Sequence, residues 1–381
     1  MAILKIGGKP KIAVGLAIPP KPPVGSLKQL VWASRLMRFD CLLLWDHLQD
    51  IFPSALWEKE FTWVASQNPT PHELFDQQTL LGWLAGRAGG LTLGTAVTEP
   101  IRRHPVVIAQ AMLTLANLTK KAPILGIGSG ERENVEPYGL DMRYGVSRLE
   151  EALAVLRLCF DSKVGARLDY EGRFYRLDNA RVDLQAPRNR TPKIWVGALG
   201  PRMLELTGRY GDGWLPLGLL QPDQYAERLA VVRAAATAAG RNPNAIVPSL
   251  QPYVVVAPTR EEARALLDTK TIRFVGLLAP AESWTALGLR HPLGDGFRGI
   301  IDWLPESYTR SQLDEAIALV PPELSDAGLV WGTPSEVAAR LKEYGDAGMR
   351  HVVPQTITAA LSKKHALYSL RALRQIAAEL R

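Results

Sequence analysis

At 381 residues, with 47% hydrophobic and 22% charged side chains, the chain has an ordinary globular composition and is long enough for two average domains or one large barrel. Its formal charge of +7 is scattered rather than gathered into a basic run, which disfavours nucleic acid as a partner and leaves either a solvated surface or an anionic ligand. No apolar run reaches the roughly 18 residues that cross a bilayer, and the N-terminus shows no apolar core with a cleavage site, so we expect a cytoplasmic protein without a membrane span.

The first predicted element is a strand over 11–18, stopped by Pro19-Pro20-Lys21-Pro22-Pro23, which can continue neither a ladder nor a helix. Ser26 opens a helix to about residue 39, with Leu27, Leu30, Val31 and Ser34 on one face, and a strand over 41–45 follows at once. So compact a βαβ start points to a parallel sheet. Residues 48–74 then form an insertion rich in large aromatics, Phe52, Trp57, Phe61 and Trp63. A loop of that length is a lid or binding loop, or its aromatics pack it onto the barrel.

The alternation continues with a helix over 75–88, a strand over 91–98, a helix over 105–118 and a strand over 124–129. An amphipathic helix over 146–160 carries Leu149, Ala152, Leu153, Leu156 and Phe160 at helical spacing, and 169–177 reads as a hairpin turning at Glu171-Gly172. A strand over 193–196 leads through Gly197-Ala198-Leu199-Gly200 into a helix from Pro201 to residue 210, with proline at the first helical position. Next come a strand over 213–220, a helix over 222–239 and a strand over 246–257. A second insertion, about 271–326, breaks the rhythm. Thr333-Pro334-Ser335-Glu336 is a capping box that opens a helix to residue 347, and a strand over 351–356 and a helix over 363–380 close the chain. The pattern predicts one α/β domain over 1–381, a (β/α)8 TIM barrel with both insertions at the active-site mouth.

Cys41 and Cys159 lie in apolar segments and read as buried thiols, and no metal-ligand spacing such as CxxC or HExxH occurs, so no metal is expected. The strand tips are more informative. Cys41 to Leu44 ends in Trp45-Asp46-His47, Leu91 to Gly94 in Thr95-Ala96-Val97-Thr98, 123–127 in Gly128-Ser129-Gly130-Glu131, and Lys193 to Val196 in Gly197-Ala198-Leu199-Gly200. In a parallel barrel such tips converge on one face, where the chemistry is done. Each glycine marks a close approach of ligand or backbone, or simply a turn. The glycines before Pro201 make a phosphate site at a helix N-terminus, or a plain cap.

Taken together, Trp45-Asp46-His47, Gly94-Thr95-Ala96-Val97, Gly126 to Glu131, Trp195 to Pro201 and Gly211-Asp212-Gly213-Trp214 resemble the bacterial luciferase-like superfamily, and within it the branch that uses the deazaflavin coenzyme F420. Gly130-Glu131-Arg132-Glu133, Glu136-Pro137-Tyr138-Gly139 and, inside the insertion, His291-Pro292-Leu293-Gly294 are most similar to the phthiodiolone and phenolphthiodiolone dimycocerosates ketoreductases. The resemblance implies that Asp46 and His47 lie beside the deazaflavin ring and that Ala96-Val97 is a non-prolyl cis peptide backing it, with Thr98 next to it. It implies that Val196, Gly197, Ala198, Leu199 and Gly200 hold the phosphate, and that Gly130, Glu131 and Asn134 lie near the reactive side or the tail. Where sugar-phosphate dehydrogenases of the branch carry charged substrate-holding residues, this chain has Ala17-Ile18-Pro19-Pro20 and Leu217-Gly218-Leu219-Leu220, which argues against glucose 6-phosphate. An aromatic expected shortly after the histidine is replaced by Ile51 beside Phe52.

The expected chemistry is hydride transfer from reduced F420 to a ketone, with His47 and Glu131 as the catalytic pair: His47 protonates the developing alkoxide and Glu131 orients the site or shares the proton. Read by spacing alone, His47 is equally a hydrogen-bonded core histidine and Glu131 a neighbour of a helix cap. FMN is the alternative cofactor, and a non-catalytic deazaflavin or lipid carrier the alternative class. Trp214, Leu215, Leu217, Leu219, Leu220 and the aromatic insertion suggest an apolar pocket for a lipid-like carbonyl substrate, or a dimer face. By analogy with the barrels the chain resembles, the expected assembly is a homodimer.

Overall fold

The computed structural model describes residues 11–218 and 220–381, so Leu219 of the expected pocket lies outside the described residues. Its main sheet runs Ala13–Val14, His351–Val352, Val247–Leu250, Gly213–Trp214, Lys193–Val196, Ile124–Ile127, Thr92–Thr95, Cys41–Leu44 and Leu16–Ile18, every pairing parallel. The two outermost segments are halves of one strand separated only by Gly15, whose N–H donates to the Val352 carbonyl at 2.8 Å. The sheet therefore closes on itself, as expected of a TIM barrel. Gly15 is required at the seam because a Cβ there would overlap the Cys41 Sγ.

The strands read as continuous apolar runs because both faces are buried: Cys41, Leu42, Leu43 and Leu44 have no exposed surface. One face packs under the helices. The other fills the barrel interior with a smaller cluster that includes Ala17, Cys41, Leu43, Trp195 and Val353. Both cysteines are free and buried, as read from their apolar settings.

Helices with strong local signals fall where predicted. Pro105–Leu118 and Pro201–Tyr210 begin on a proline at the first helical position, and Pro334–Asp346 carries the capping box between Thr333 and Glu336. The first helix, Val24–Leu36, starts two residues before Ser26 because Pro23, already extended, acts as its cap. The hairpin pairs Leu168–Glu171 with Arg176–Ala180.

The late strands depart from prediction. The run 246–257 splits into Val247–Leu250 and Tyr253–Val256, and 351–356 into His351–Val352 and Gln355–Thr356. Pro252 and Pro354 sit at the breaks, where a missing N–H ends the barrel ladder. Beyond the breaks both strands enter a separate parallel sheet with Val330–Gly332. The run 213–220 shortens to Gly213–Trp214 plus an isolated bridge from Leu217 to Gln251.

The two insertions share a core of their own. Ile51, Leu56 and Phe61 pack with Phe274, Leu277, Trp284 and Trp303, and the Trp303 indole N–H donates to the Ile51 carbonyl at 2.7 Å. At their edge His72 Nε2 lies 3.0 Å from Glu306 Oε1.

Candidate active site

The floor of the site is explained by its glycines. The Ala96-Val97 peptide is cis, and the Val97 side chain projects among Gly126, Gly128 and Gly197; a Cβ added to any of the three would come within 3.3–3.4 Å of its methyl groups. Gly94 and Gly126 are also needed for backbone approach, since a Cβ would overlap the carbonyls of Ile124 and Thr95 respectively. Gly130 has φ +94, the left-handed region that favours glycine. Gly200, by contrast, has ordinary φ and open space around it, so it serves as a cap without a steric need.

Above this floor the tip of Cys41–Leu44 delivers His47 between two carboxylates. His47 Nε2 lies 3.4 Å from Glu131 Oε2, and Nδ1 lies 2.9 Å from Glu133 Oε1 as an ion-pair contact without hydrogen-bond alignment. Glu133 is wholly buried, and its Oε2 has no hydrogen-bond partner. Asn134 ties the set together: Nδ2 donates to Glu133 Oε1 at 3.3 Å and, at 3.5 Å, to Glu131 Oε2, while Oδ1 accepts the Leu48 N–H at 2.8 Å. The Gln49 amide donates to the Glu133 carbonyl at 2.6 Å, so the turn Arg132–Asn134 is sewn to the chain just after His47.

Burial opposes charge on His47, but Glu131, Glu133 and Asp50 outweigh it and raise the imidazole from 6.5 to about 9. It is a cation at neutral pH. Burial, partly offset by His47, raises the Glu133 carboxyl above its ordinary range, with the negative charges of Glu131 and Asp50 adding to the rise.

Asp46 faces the same cavity but its carboxylate is already engaged. Its Oδ2 accepts from Thr98 Oγ1 and from Arg103 Nη1, each at 2.6 Å, and Arg102 Nη2 lies 3.2 Å away. Arg102 also pairs with Glu99 at 2.5 Å. Asp46 and Thr98 thus brace the strand tips that carry His47 and the cis peptide.

These groups line one cavity of about 780 Å³ at the C-terminal tips of the barrel strands, within the usual range for small-molecule and cofactor sites. Asp46, His47, Ala96, Val97, Thr98, Gly130, Glu131, Asn134, Gly197, Ala198, Leu199 and Gly200 all reach its wall. Val196 does not: it is fully buried in its strand and accepts the Leu215 N–H. At one end the N-termini of Gly145–Asp161 and Pro201–Tyr210 meet the cavity, placing first-turn N–H groups toward an anion. The nearby arginines are engaged in ion pairs, Arg202 with Glu150 at 2.8 Å and Arg132 with Glu136 at 2.7 Å.

Sequence reasoning missed Glu133, whose two-residue spacing from Glu131 was its one available signal, and the wall formed by Tyr144 to Ser147. The aromatic insertion behaves differently from a pocket wall. Phe52, Trp57, Phe61 and Trp63 are absent from the cavity lining; Phe61 packs edge-on to Phe274 with ring centres 5.8 Å apart, and Trp63 Nε1 donates to the Ala359 carbonyl at 2.8 Å. Ile51 is the member of that segment that reaches the cavity, while Trp214 is buried in the core.

A closed parallel barrel with its cavity at the C-terminal strand tips is an enzyme architecture. The model of the luciferase-like monooxygenase family matches residues 60–351, and the chain belongs to that family. It is 38% identical over 346 residues to a phthiodiolone/phenolphthiodiolone dimycocerosates ketoreductase of Mycobacterium sp. (strain JLS), covering 90% of this chain and 91% of that protein. It is 30% identical over 332 residues to an F420-dependent glucose-6-phosphate dehydrogenase of Nakamurella multipartita, covering 86% and 85%. The fold is also that of an F420-dependent secondary alcohol dehydrogenase solved with an F420-acetone adduct, with TM-score 0.74, 17% identity and coverage of 97% and 99%. The superfamily resemblance and the barrel read from the sequence are both borne out.

Proposed function

We propose that this protein is an F420-dependent oxidoreductase that reduces an apolar ketone to the secondary alcohol. The observation that carries the reading is the His47 imidazole held between Glu131 and Glu133 on the wall of a deep cavity, beside the Val97 floor. The relatives supply the cofactor class: an F420-dependent enzyme at 30% identity and ketoreductases at 36–38%.

The residues present fit a flat, anionic cofactor. Glycines open the floor around Val97, and two helix N-termini meet one end of the cavity. Ala96, Val97 and Thr98 back the ring, and Gly197 to Gly200 with the first turn of Pro201–Tyr210 receive the phosphate. When bound, the deazaflavin supplies a hydride and is poor at oxygen and one-electron chemistry. The carbonyl carbon gains that hydride and its oxygen gains a proton. His47, cationic at neutral pH, supplies the proton from Nε2, the nitrogen nearer Glu131. Glu131 orients the imidazole from the cavity side and Glu133 holds it from beneath. The paired insertions contribute Ile51, Leu278 and Ile300 to an apolar part of the wall.

Among the described residues no helix is long and apolar enough to cross a membrane. The partner we propose is a second copy of the chain, because Trp32 and Leu36 on Val24–Leu36 and Trp83 on the adjacent helix Gln77–Ala88 are exposed apolar side chains.

The test mixes the enzyme anaerobically with reduced F420 and a long-chain methyl ketone and follows the return of oxidised deazaflavin absorbance. Turnover is expected, falling roughly 10²- to 10⁴-fold in His47→Ala. Turnover confined to reduced FMN with oxygen uptake would replace this reading with a monooxygenase.

A further inference from the structure

Next to the cavity lies a second, smaller chamber of about 50 Å³. Ile51, Leu217, Tyr253, Leu278 and Ile300 belong to the walls of both, so the two spaces share a boundary between the barrel tips and the second insertion. The chamber's further walls come from the helix Lys270–Leu277 and from the region of Pro322–Ala327: Ile272, Val275, Ala279, Leu324 and Leu329 are all apolar. Ser325 is the one polar side chain among these additional wall residues. Its buried Oγ has no hydrogen-bond partner and faces Gly276, whose added Cβ would lie 3.3 Å from it.

We propose that this chamber is an alkyl-binding annex of the active site, taking one hydrocarbon arm of the ketone whose carbonyl faces His47. The inference rests on the ketoreductase reading and extends it to the shape of the substrate. A charged or sugar-like arm meets no charged side chain in the chamber, whose polar wall groups are the Tyr253 phenol and the Ser325 hydroxyl, and would be stripped of water on entry. A hydrocarbon arm loses nothing by leaving water and fills space that otherwise weakens the packing of the insertion. Size sets a limit. A water-sized group takes roughly 10–15 Å³ of such space, so the chamber admits about four methylene-sized groups beyond the boundary residues.

The walls explain why the second insertion is apolar on its inner side. Leu278 and Ile300 line both spaces, whereas Val275 and Ala279, on and just past the helix Lys270–Leu277, line the annex alone. Enlarging either of the latter two fills the annex from its far side, and both are only partly buried, so a larger side chain has room to adjust.

The experiment uses the protein loaded with oxidised F420 and a series of straight-chain 2-alkanones of increasing length, with affinity read by calorimetry and reduction read separately with reduced F420. Affinity is expected to rise roughly three- to fourfold per added methylene and to level off once the annex is full. In Val275→Phe and Ala279→Phe the ratio of long-chain to short-chain affinity is expected to fall at least tenfold, with melting temperature checking that each variant is folded. Affinity independent of chain length, or the same length dependence in wild type and both variants, overturns the annex. Length-dependent binding without any reduction overturns the reductase reading and supports the annex, so the two failures are distinguishable.

Discussion

At the scale of single residues, the site turns on one proton. His47 lies in contact with Glu131 and Glu133, with Asp50 and the Tyr253 phenol as the further titratable groups that share this field. Because the folded imidazole is raised from 6.5 to about 9, ketone reduction is expected to fall as pH rises through about 9. The same shift makes the charged imidazole a source of stability that is fully present below about 6.5 and is lost as pH rises through about 9. On the proposed reading Glu133 is a positioning residue that acts through His47. Glu133→Gln removes one of the charges that raise the imidazole, so the alkaline limb should move down by roughly one pH unit, and Glu133→Asp should restore part of the shift. An unchanged limb in Glu133→Gln would mean that the carboxylate merely fills space. Glu131 and His47 could be singled out in the sequence because both sit at strand tips. Glu133 could not, because only the turn Arg132–Asn134 folds it back beneath the histidine.

At the scale of elements, the parts with local chemistry were legible and the parts set by long-range contact were not. Proline at the first helical position and the Thr333 capping box fixed the starts of helices, and continuous apolar runs marked the early strands. The splitting of 246–257 and 351–356 depends on Pro252 and Pro354 meeting a second sheet, a tertiary event invisible to periodicity. The glycines show the same divide. Turn chemistry accounts for Gly200, whereas Gly94 and Gly126 are small because neighbouring backbone lies against them. Gly94→Ala should therefore destabilise the fold by about 2 kcal/mol or more, read as a lower denaturation midpoint, while Gly200→Ala should change it little. Equal tolerance of both substitutions would contradict this account of the barrel's spacing. The aromatic insertion, read as either a lid or a packed plug, is built from aromatics that pack, with Ile51 presented to the cavity.

At the scale of the whole molecule, the barrel gathers four separate strand tips into one cavity, and two insertions far apart in sequence meet over it through Trp303 and Ile51. Arginines at the rim are held in local ion pairs, Arg132 with Glu136 and Arg202 with Glu150. On the proposed reading, hydride and proton reach a ketone in this cavity from two different sources. A single turnover at neutral pH with reduced F420 dideuterated at C5 and a long-chain 2-alkanone in ordinary water tests this. One deuterium on the carbinol carbon is expected for each deazaflavin oxidised. A product lacking that deuterium, or F420 left reduced with the ketone unchanged, would contradict it.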